Sequence, residues 1–315
     1  MADTNRYALR YVKEATWGTT PSSALQTLRP TSGNFRATLN TIQSQELIQD
    51  AQLRALILAG KAAAGEFGYE LSYGTWDELL EGVFRNTWQN DTGLSGAESG
   101  TDLLENGTTA ISYTFEEQNT DLSSVFASVT GARIGSWSIS LALDSVVGGS
   151  FGAIVGKAYT PGSATVGTGP AVAATTTSPF SVTDITAVSE GGSPLTGVTG
   201  LTIEVNNNLR AEGHLGSTDL FRVGYGQFLV TGTLNVYLAS NALRTKVANF
   251  TASSIGAELT DDAGNIYEFS IPRVRYGEAT SEATGPNGSV ILTLPWTAER
   301  DPTTGKSLRL ARTAA

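Results

Sequence analysis

The sequence contains no cysteine and a single histidine, His214. The first absence excludes a disulfide framework and any thiolate metal site, and the second excludes a histidine-rich metal cluster. Charge is also scarce. Only 16% of residues are Asp, Glu, Lys or Arg, low for a soluble globular chain, and Ser, Thr and Gly fill the polar positions instead. What charge there is leans acidic, with a formal net charge of −10. That balance opposes wrapping nucleic acid, because phosphate contacts need Lys and Arg. No run of 18 apolar residues exists to span a membrane. Met1 to Arg6 lacks the apolar core of a signal peptide, so the expectation is a chain made in the cytoplasm with no membrane partner and no cofactor.

The patterning is that of strands. After a brief alternation at Tyr7, Leu9 and Tyr11, residues 1–34 read as an N-terminal arm, free to fold back locally or to lie on a neighbouring subunit. Phe35, Ala37 and Leu39 then alternate with Arg36, Thr38 and Asn40, which predicts a strand with the first set inward. Gln43 to Gly60 reads as a long connection rich in apolar residues (Leu47, Ile48, Leu53, Leu56, Ile57, Leu58), and connections of that length are usually functional. A second strand places Phe67, Tyr69 and Leu71 in, and Glu66, Glu70 and Ser72 out. Thr75-Trp76-Asp77-Glu78 has the spacing of a capping box. The helix it opens carries Leu79, Leu80, Val83 and Phe84 as one stripe, with Arg85 at its dipole-negative end. Asn90 to Gly107 reads as an exposed loop. A hairpin turns at Asn119-Thr120-Asp121, Trp137, Ile139, Leu141 and Leu143 alternate with small polar residues, and a final strand follows Gly149-Ser150.

The same order returns later in the chain. Leu201, Ile203 and Val205 face in against Thr202, Glu204 and Asn206. A long connection spans Asn207 to Gly226, and Phe228, Val230, Leu234, Val236 and Leu238 share a face. Ser240 is placed to cap a helix bearing Leu243, Val247 and Phe250. A hairpin turns at Asp261 to Asn265 before Tyr267, Phe269 and Ile271, and Val290, Leu292, Leu294 and Trp296 close the unit. First strand to helix cap is 40 residues from Phe35 to Thr75 and 39 from Leu201 to Ser240. Agreement of element order and long-loop position argues for a tandem duplication. The expected domains are 1–34, an arm; 35–158, the first unit; 159–200, a Gly/Thr/Ala-rich linker or insertion with a short strand near Ser181 to Val188; and 201–315, the second unit with a tail.

Chemistry-bearing motifs are few. Gly305-Lys306-Ser307 lacks the upstream glycine of a phosphate loop, since Arg300 stands there. Gly224-Tyr225-Gly226 has no strand-to-helix context. His214 has no second histidine near it. Glu116-Glu117 and Asp261-Asp262 lie in hairpins, where adjacent acids face opposite sides or solvent. No catalytic or metal site is assigned.

In its ordered motifs the chain resembles the tail tube proteins of long, non-contractile-tailed bacteriophages. The resemblance rests on Arg6-Tyr7, Glu14 to Pro21, Ser44-Gln45-Glu46-Leu47, the Thr75 to Trp88 helix, Leu201 to Asn207, Gly232-Thr233-Leu234, Asp262 to Asn265, Pro272-Arg273-Val274 and Trp296-Thr297-Ala298. It implies a mainly β fold of β-sandwich or barrel units, each with a short flanking helix, whose sheets close into a ring-shaped barrel on oligomerisation. Rings stack into a tube, and two units per chain imply trimeric rings with pseudo-sixfold symmetry, or otherwise hexameric ones. Implied partners are the protein itself, tape-measure, tail terminator and tail-tip proteins, and double-stranded DNA passing without specific binding. The channel-lining candidates are Thr38, Asn40, Glu66, Glu70, Glu204, Thr231, Thr233 and Asn235. The ring-stacking candidates are Glu46, Leu47, Asp50, Arg54, Arg210, Glu212, His214, Asp219 and Arg222. A carbohydrate-binding or adhesin-type β-protein is the alternative, and it would call for exposed aromatics in one loop region. A β-rich hydrolase is weaker still, lacking a nucleophile paired with a base.

Overall fold

The computed structural model describes residues 3–47, 49–50, 52–90, 100–282 and 286–315. Ile48 and most of the loop expected between Asn90 and Gly107 lie outside the described residues. Strand takes 52% of the chain, which makes the class mainly β. The first part runs β1 (Tyr7–Lys13), β2 (Gln26–Thr27), β3 (Pro30–Gln43), β4 (Leu56–Glu70), α1 (Asp77–Phe84), β5 (Gln89–Asn90), β6 (Thr101–Glu105), β7 (Tyr113–Asn119), β8 (Phe126–Ala132), β9 (Ser136–Ala142), β10 (Gly148–Gly156) and β11 (Ala158–Gly162). The rest runs β12 (Ile185–Glu190), β13 (Ser193–Pro194), β14 (Val198–Asn206), β15 (Arg210–Glu212), β16 (Arg222–Gly224), β17 (Leu229–Tyr237), α2 (Ala242–Ala248), β18 (Ser253–Thr260), β19 (Ile266–Tyr276), β20 (Thr280–Glu282), β21 (Ile291–Ala298) and β22 (Arg309–Thr313).

One antiparallel sheet runs through both parts of the chain. Its central order is β19-β21-β17-β14-β9-β10-β4-β3, with β20 also paired to β21. Early and late sequence join in it at the β9–β14 ladder, seven residue pairs from Ala142↔Gly200 to Ser136↔Asn206, and again at the β6–β22 ladder, five pairs from Glu105↔Arg309 to Thr101↔Thr313. Alternation explains the first. Trp137, Ile139 and Leu141 on one strand and Leu201, Ile203 and Val205 on the other are all buried, and each such side chain contributes roughly 1.5–3 kcal/mol when fully removed from water.

Two layers cover the buried face. A five-stranded sheet, β11-β8-β7-β1-β2, sets Phe115 5.3 Å from Phe35 and 5.7 Å from Phe67 by ring centroids. Further along, the first half of β19 leans over β9, with Phe269 stacked 6.0 Å from Trp137. Helix α1 is enclosed between these layers with Leu79, Leu80, Val83 and Phe84 fully buried. Asn207, itself buried, ties the layers together. Its Nδ2 donates to the carbonyls of Val83 and Ile134, and its backbone N–H donates to Gly135.

Several expectations are corrected. Phe35 is buried, but Ala37 and Leu39 on the same face of β3 are exposed, because β3 and β4 continue as a ribbon beyond the covering layer. Their pairing persists to Gln43↔Leu56, so the expected Gln43–Gly60 connection is shorter than read: Gln43 and residues 56–60 are strand, and the loop is confined to 44–55. The Thr75 capping box does not form. Thr75 Oγ1 instead bonds Ser72, Thr175 and Thr177, and Ser72 is buried rather than outward. Arg85 follows the helix with φ 59° as its left-handed cap, and its guanidinium stacks on Tyr225. Leu143 and Phe250 are exposed; Phe250 has φ 49°, just past the end of α2, and Arg275 covers its ring. Leu103 and Leu104 of β6 are buried where an exposed loop was expected.

Residues 7–13, read as part of an arm, pair along their length with β7. Glu14 secures the next turn by accepting from the Gly18 and Gly131 amides and the Ser112 and Thr114 hydroxyls, all at 2.8 Å. Within 159–200, β11 pairs with β8 and β12 with β18, while Phe180 is fully buried. Most of the segment is nonetheless exposed, and Phe180 anchors it to the body.

Close packing at the sheet makes a specific forecast. A Cβ at Gly232 would lie 2.0 Å from the Thr202 carbonyl oxygen and 2.4 Å from the Trp296 ring, whereas at Gly60 the nearest atom is 3.7 Å away. Gly232→Ala is expected to destabilise by about 1–3 kcal/mol and Gly60→Ala by less than about 0.5 kcal/mol, compared by denaturant unfolding.

Candidate channel and stacking surfaces

The face of the central sheet turned away from the core is polar. Along every strand the residues between the buried ones point to it, as the two-residue period requires. The eight residues Thr38, Asn40, Glu66, Glu70, Glu204, Thr231, Thr233 and Asn235 all lie on this one face. Ladder pairing puts Ser138, Glu204, Thr231 and Thr297 in one row across four strands. Thr202 pairs with Thr233, and the Thr233 amide donates to Thr202 Oγ1 at 2.9 Å. Ser138 and Ser150 bond to one another at 3.1 Å. These serines and threonines belong to the surface as much as the eight candidates do. Their signal was the strict alternation of Ser136, Ser138 and Ser140 with large apolar residues. Arg36 shares the face, and Arg275 lies opposite Thr297 in the same row, paired with Glu299, so the face carries base as well as acid. Thr38, Asn40, Glu66, Glu70 and Glu204 are exposed, and Thr231, Thr233 and Asn235 half-buried.

The second surface is the end of the β3–β4 ribbon. Leu39, Ile42, Leu47, Leu53, Leu56, Ile57 and Leu58 are all exposed on it. Such a concentration of apolar side chains marks an interaction surface in a folded chain. Glu46 and Arg54 pair across the loop at 2.9 Å, and Asp50 caps the turn by accepting from the Gln52 amide. The sequence placed Leu56, Ile57 and Leu58 in the connection and Leu39 in the core, whereas the first three lie on β4 and Leu39 is exposed beyond the covering layer; Leu47 and Leu53 lie in the loop as expected.

The other stacking candidates sit beside this ribbon. The Asn207–Gly226 connection contains the β15–β16 hairpin. Arg210 and Arg222 flank Glu212, whose carboxyl is held below the ordinary range chiefly by the Arg222 hydrogen bond. His214 meets the edge of the exposed Phe221 ring. Asp219 pairs with Lys61 of β4 at 3.1 Å, and the Lys61 amide donates to the Thr218 carbonyl. The fold thus brings the two predicted stacking segments to one place, separated by a cleft of about 690 Å³ lined by Leu39, Lys61, His214 and Leu215 among others.

All five tryptophans are engaged within the chain. Trp76, Trp137 and Trp296 are buried, Trp17 donates to the Gly131 carbonyl, and Trp88 donates to the Asp77 carbonyl under Arg312. They form no aromatic platform of the kind that an adhesin would use. Among the described residues no group of three or more His, Asp or Glu is placed to hold a metal ion, and no helix is long and apolar enough to cross a membrane.

A family model described as phage tail tube protein matches residues 4–298 of the chain. No curated protein matches it.

The lowered Glu212 carboxyl sets a pH dependence. An acid depressed in the folded state stabilises above its unfolded pKa of 4.5 and loses that contribution as pH falls through the folded value. Protection of the amides in residues 210–224, taken relative to their intrinsic exchange rates at each pH, is therefore expected to hold at pH 5 and to fall as pH drops below 4.5. Glu212→Gln is expected to show the reduced protection already at pH 5, as read by hydrogen exchange.

Proposed function

We propose that this chain, a member of the phage tail tube protein family over residues 4–298, polymerises into stacked rings that form the tube of a long, non-contractile tail and conduct the genome. The family is one of structural proteins rather than enzymes. The observation that carries the reading is the open sheet: one face is consumed by the core, the other is polar, and among the described residues β3 and β20 are each paired on one side only. Closing that sheet with other copies removes its edges and turns the polar face onto an axial channel. Excess acid there repels phosphate over about 10 Å at moderate salt, which lets DNA pass without sticking. The exposed leucines and isoleucines of the β3–β4 ribbon, with the adjoining 207–226 segment, serve contact between successive rings.

A ring of three chains with pseudo-sixfold symmetry follows from duplication, and the strand order supports it. The first part contains a ladder β1-β7-β8-β11 and another β3-β4-β10-β9; the second contains β12-β18-β19-β22 and β14-β17-β21-β20. Corresponding strands occur in the same chain order. Even an irregularity repeats: the β7–β8 register shifts between Tyr113↔Ala132 and Phe115↔Val129, and the β18–β19 register between Ser253↔Val274 and Ile255↔Ile271. On this reading each unit begins earlier than Phe35 or Leu201, at β1 and β12, and segment 159–200 supplies the end of one unit and the start of the next. The proposed partners are further copies of the chain, the tape-measure, terminator and tip proteins, and transiting DNA, within a virion tail assembled in the host cytoplasm.

Cryo-electron microscopy of the concentrated protein is expected to show stacked rings with an axial hole and three chains per ring; six chains would overturn the duplication, and a permanent monomer the function. Leu47→Asp with Ile57→Asp is expected to leave unfolding stability within about 0.5 kcal/mol, since both side chains are exposed in the single chain, while abolishing tube formation in the same images. Glu66→Lys, Glu70→Lys and Glu204→Lys together are expected to make open-ended tubes retain double-stranded DNA at low salt, with a log-affinity slope near 0.9 per phosphate neutralised, where the unaltered tube retains none by gel shift.

A further inference from the structure

The two outer edges of the central sheet differ from ordinary protected edges. β3 is 14 residues long and pairs only with β4. Between Pro30 and Gln43 its sole charged residue is Arg36, although natural edge strands are blunted by charge, brevity or bulges. Its inward-facing Ala37 is exposed. At the opposite end, among the described residues, β20 pairs only with β21, and Ala279, just before it, packs against the core.

The counterparts of these two edges, β14 and β9, are joined within the chain. In the first unit β9 pairs with β10 on one side and with β14 on the other. In the second, β20 takes the place of β9 against β21, and its other side is open. The correspondence can be counted. Arg133 of the first unit lies opposite Val155, and Arg275 of the second opposite Thr297. Ala132 and Val274 precede them at the matching register shift. Carried forward residue by residue, Trp137 corresponds to Ala279 and Ile139 to Ser281. On the other strand, Ile203 lies opposite Gly232, which faces Trp296, and Phe35 lies opposite Gly65, which faces Ile154. Ile203 therefore corresponds to Phe35 and Val205 to Ala37.

We infer that β20 of one chain pairs antiparallel with β3 of the next in the register of the internal β9–β14 junction, placing Ala279 opposite Ala37, Thr280 opposite Arg36 and Ser281 opposite Phe35. The template is Trp137↔Val205, Ser138↔Glu204 and Ile139↔Ile203. The inference rests on the ring reading above and adds which edges meet and in what register. A one-residue slip would send Ala37 and Phe35 to the channel face, so the register is selected by the core. The occupant is a second copy because each chain carries both halves of the junction, at opposite ends of one sheet, and the internal copy of the same junction shows that they match.

The absence of native cysteine makes the test clean. Two double variants of the full chain, Ala37→Cys with Ala279→Cys and Arg36→Cys with Thr280→Cys, sample adjacent pairs, one of which occupies the closer non-hydrogen-bonded type. Assembled tubes are imaged, oxidised and run under non-reducing denaturing conditions. At least one double variant is expected to convert most single-chain band to covalent species ending at three chains, while each single-cysteine variant gives none. The slipped pair Ala37→Cys with Thr280→Cys is expected to crosslink at least tenfold less. Imaged rings that stay uncrosslinked in both variants would overturn the edge pairing alone, and preferential crosslinking of the slipped pair would overturn the register. Should the variants form no rings, the strand pairing read from a cryo-electron microscopy map of the unaltered tube decides the matter, and an unaltered chain that never forms rings overturns both the pairing and the function.

Discussion

The β9–β14 ladder is the constraint on which the rest of the molecule depends. Without it the early and late parts of the sheet would be laddered through β6 and β22, and the central apolar face would be split in two. With it, Trp137, Ile139 and Leu141 continue directly into Ile203, Val205 and Leu201 as one buried surface. The strand period is two residues, so any shift of this ladder by one would exchange the core face for the polar one along several strands at once. Asn207 reinforces the register from the end of β14, spending its amide hydrogens on the last turn of α1 and on the bend between β8 and β9.

One consequence is a division of the sheet into a structural side and a free side. Aromatic and aliphatic residues are drawn into the core, where two further layers and α1 cover them. The other face is left to Ser, Thr, Asn and Glu, many of which satisfy each other across strands, as Ser138 with Ser150 and Thr202 with Thr233 do. Such a face is wet and weakly charged, suited to contact with a passing polyanion that must not be held. A second consequence is that β3 and β4 outrun their cover. The ribbon carries apolar side chains into solvent, at a place where the 207–226 segment leans against it through Lys61 and Asp219. Exposure of this kind is tolerable in a single chain only if assembly follows.

Much of this was legible in the sequence because a strand writes its orientation into alternate residues. Trp137 to Leu141, Leu201 to Val205, Val230 to Val236 and Leu292 to Trp296 announce both their strands and their inward faces, and the polar candidates fall on the opposite face for the same reason. The capping box failed because Thr75 found hydroxyl partners at Ser72, Thr175 and Thr177, the last two 100 and 102 residues away. Leu39 failed because alternation reports which side of a strand is apolar, not whether another layer covers it. Within 159–200 the short strand expected near Ser181 to Val188 overlaps β12, whereas β11 was hidden by a composition of Gly, Thr and Pro that reads as loop, and only its partner β8 distinguishes the two.

By itself the sequence determined the class of fold, the two faces of each long strand, the lack of cysteine and of all but one histidine, and the ordered motifs of a tail tube protein. These are local properties, carried by side chains within a few residues of one another. Tertiary structure alone decided which strands are neighbours, that β9 meets β14, that β3 and β20 are left as edges, and that the ribbon projects past its cover. Those outcomes depend on backbone hydrogen bonds between residues far apart in the chain, and every backbone offers the same donors and acceptors whatever its side chains, so the choice of partner is settled only when the whole core is packed.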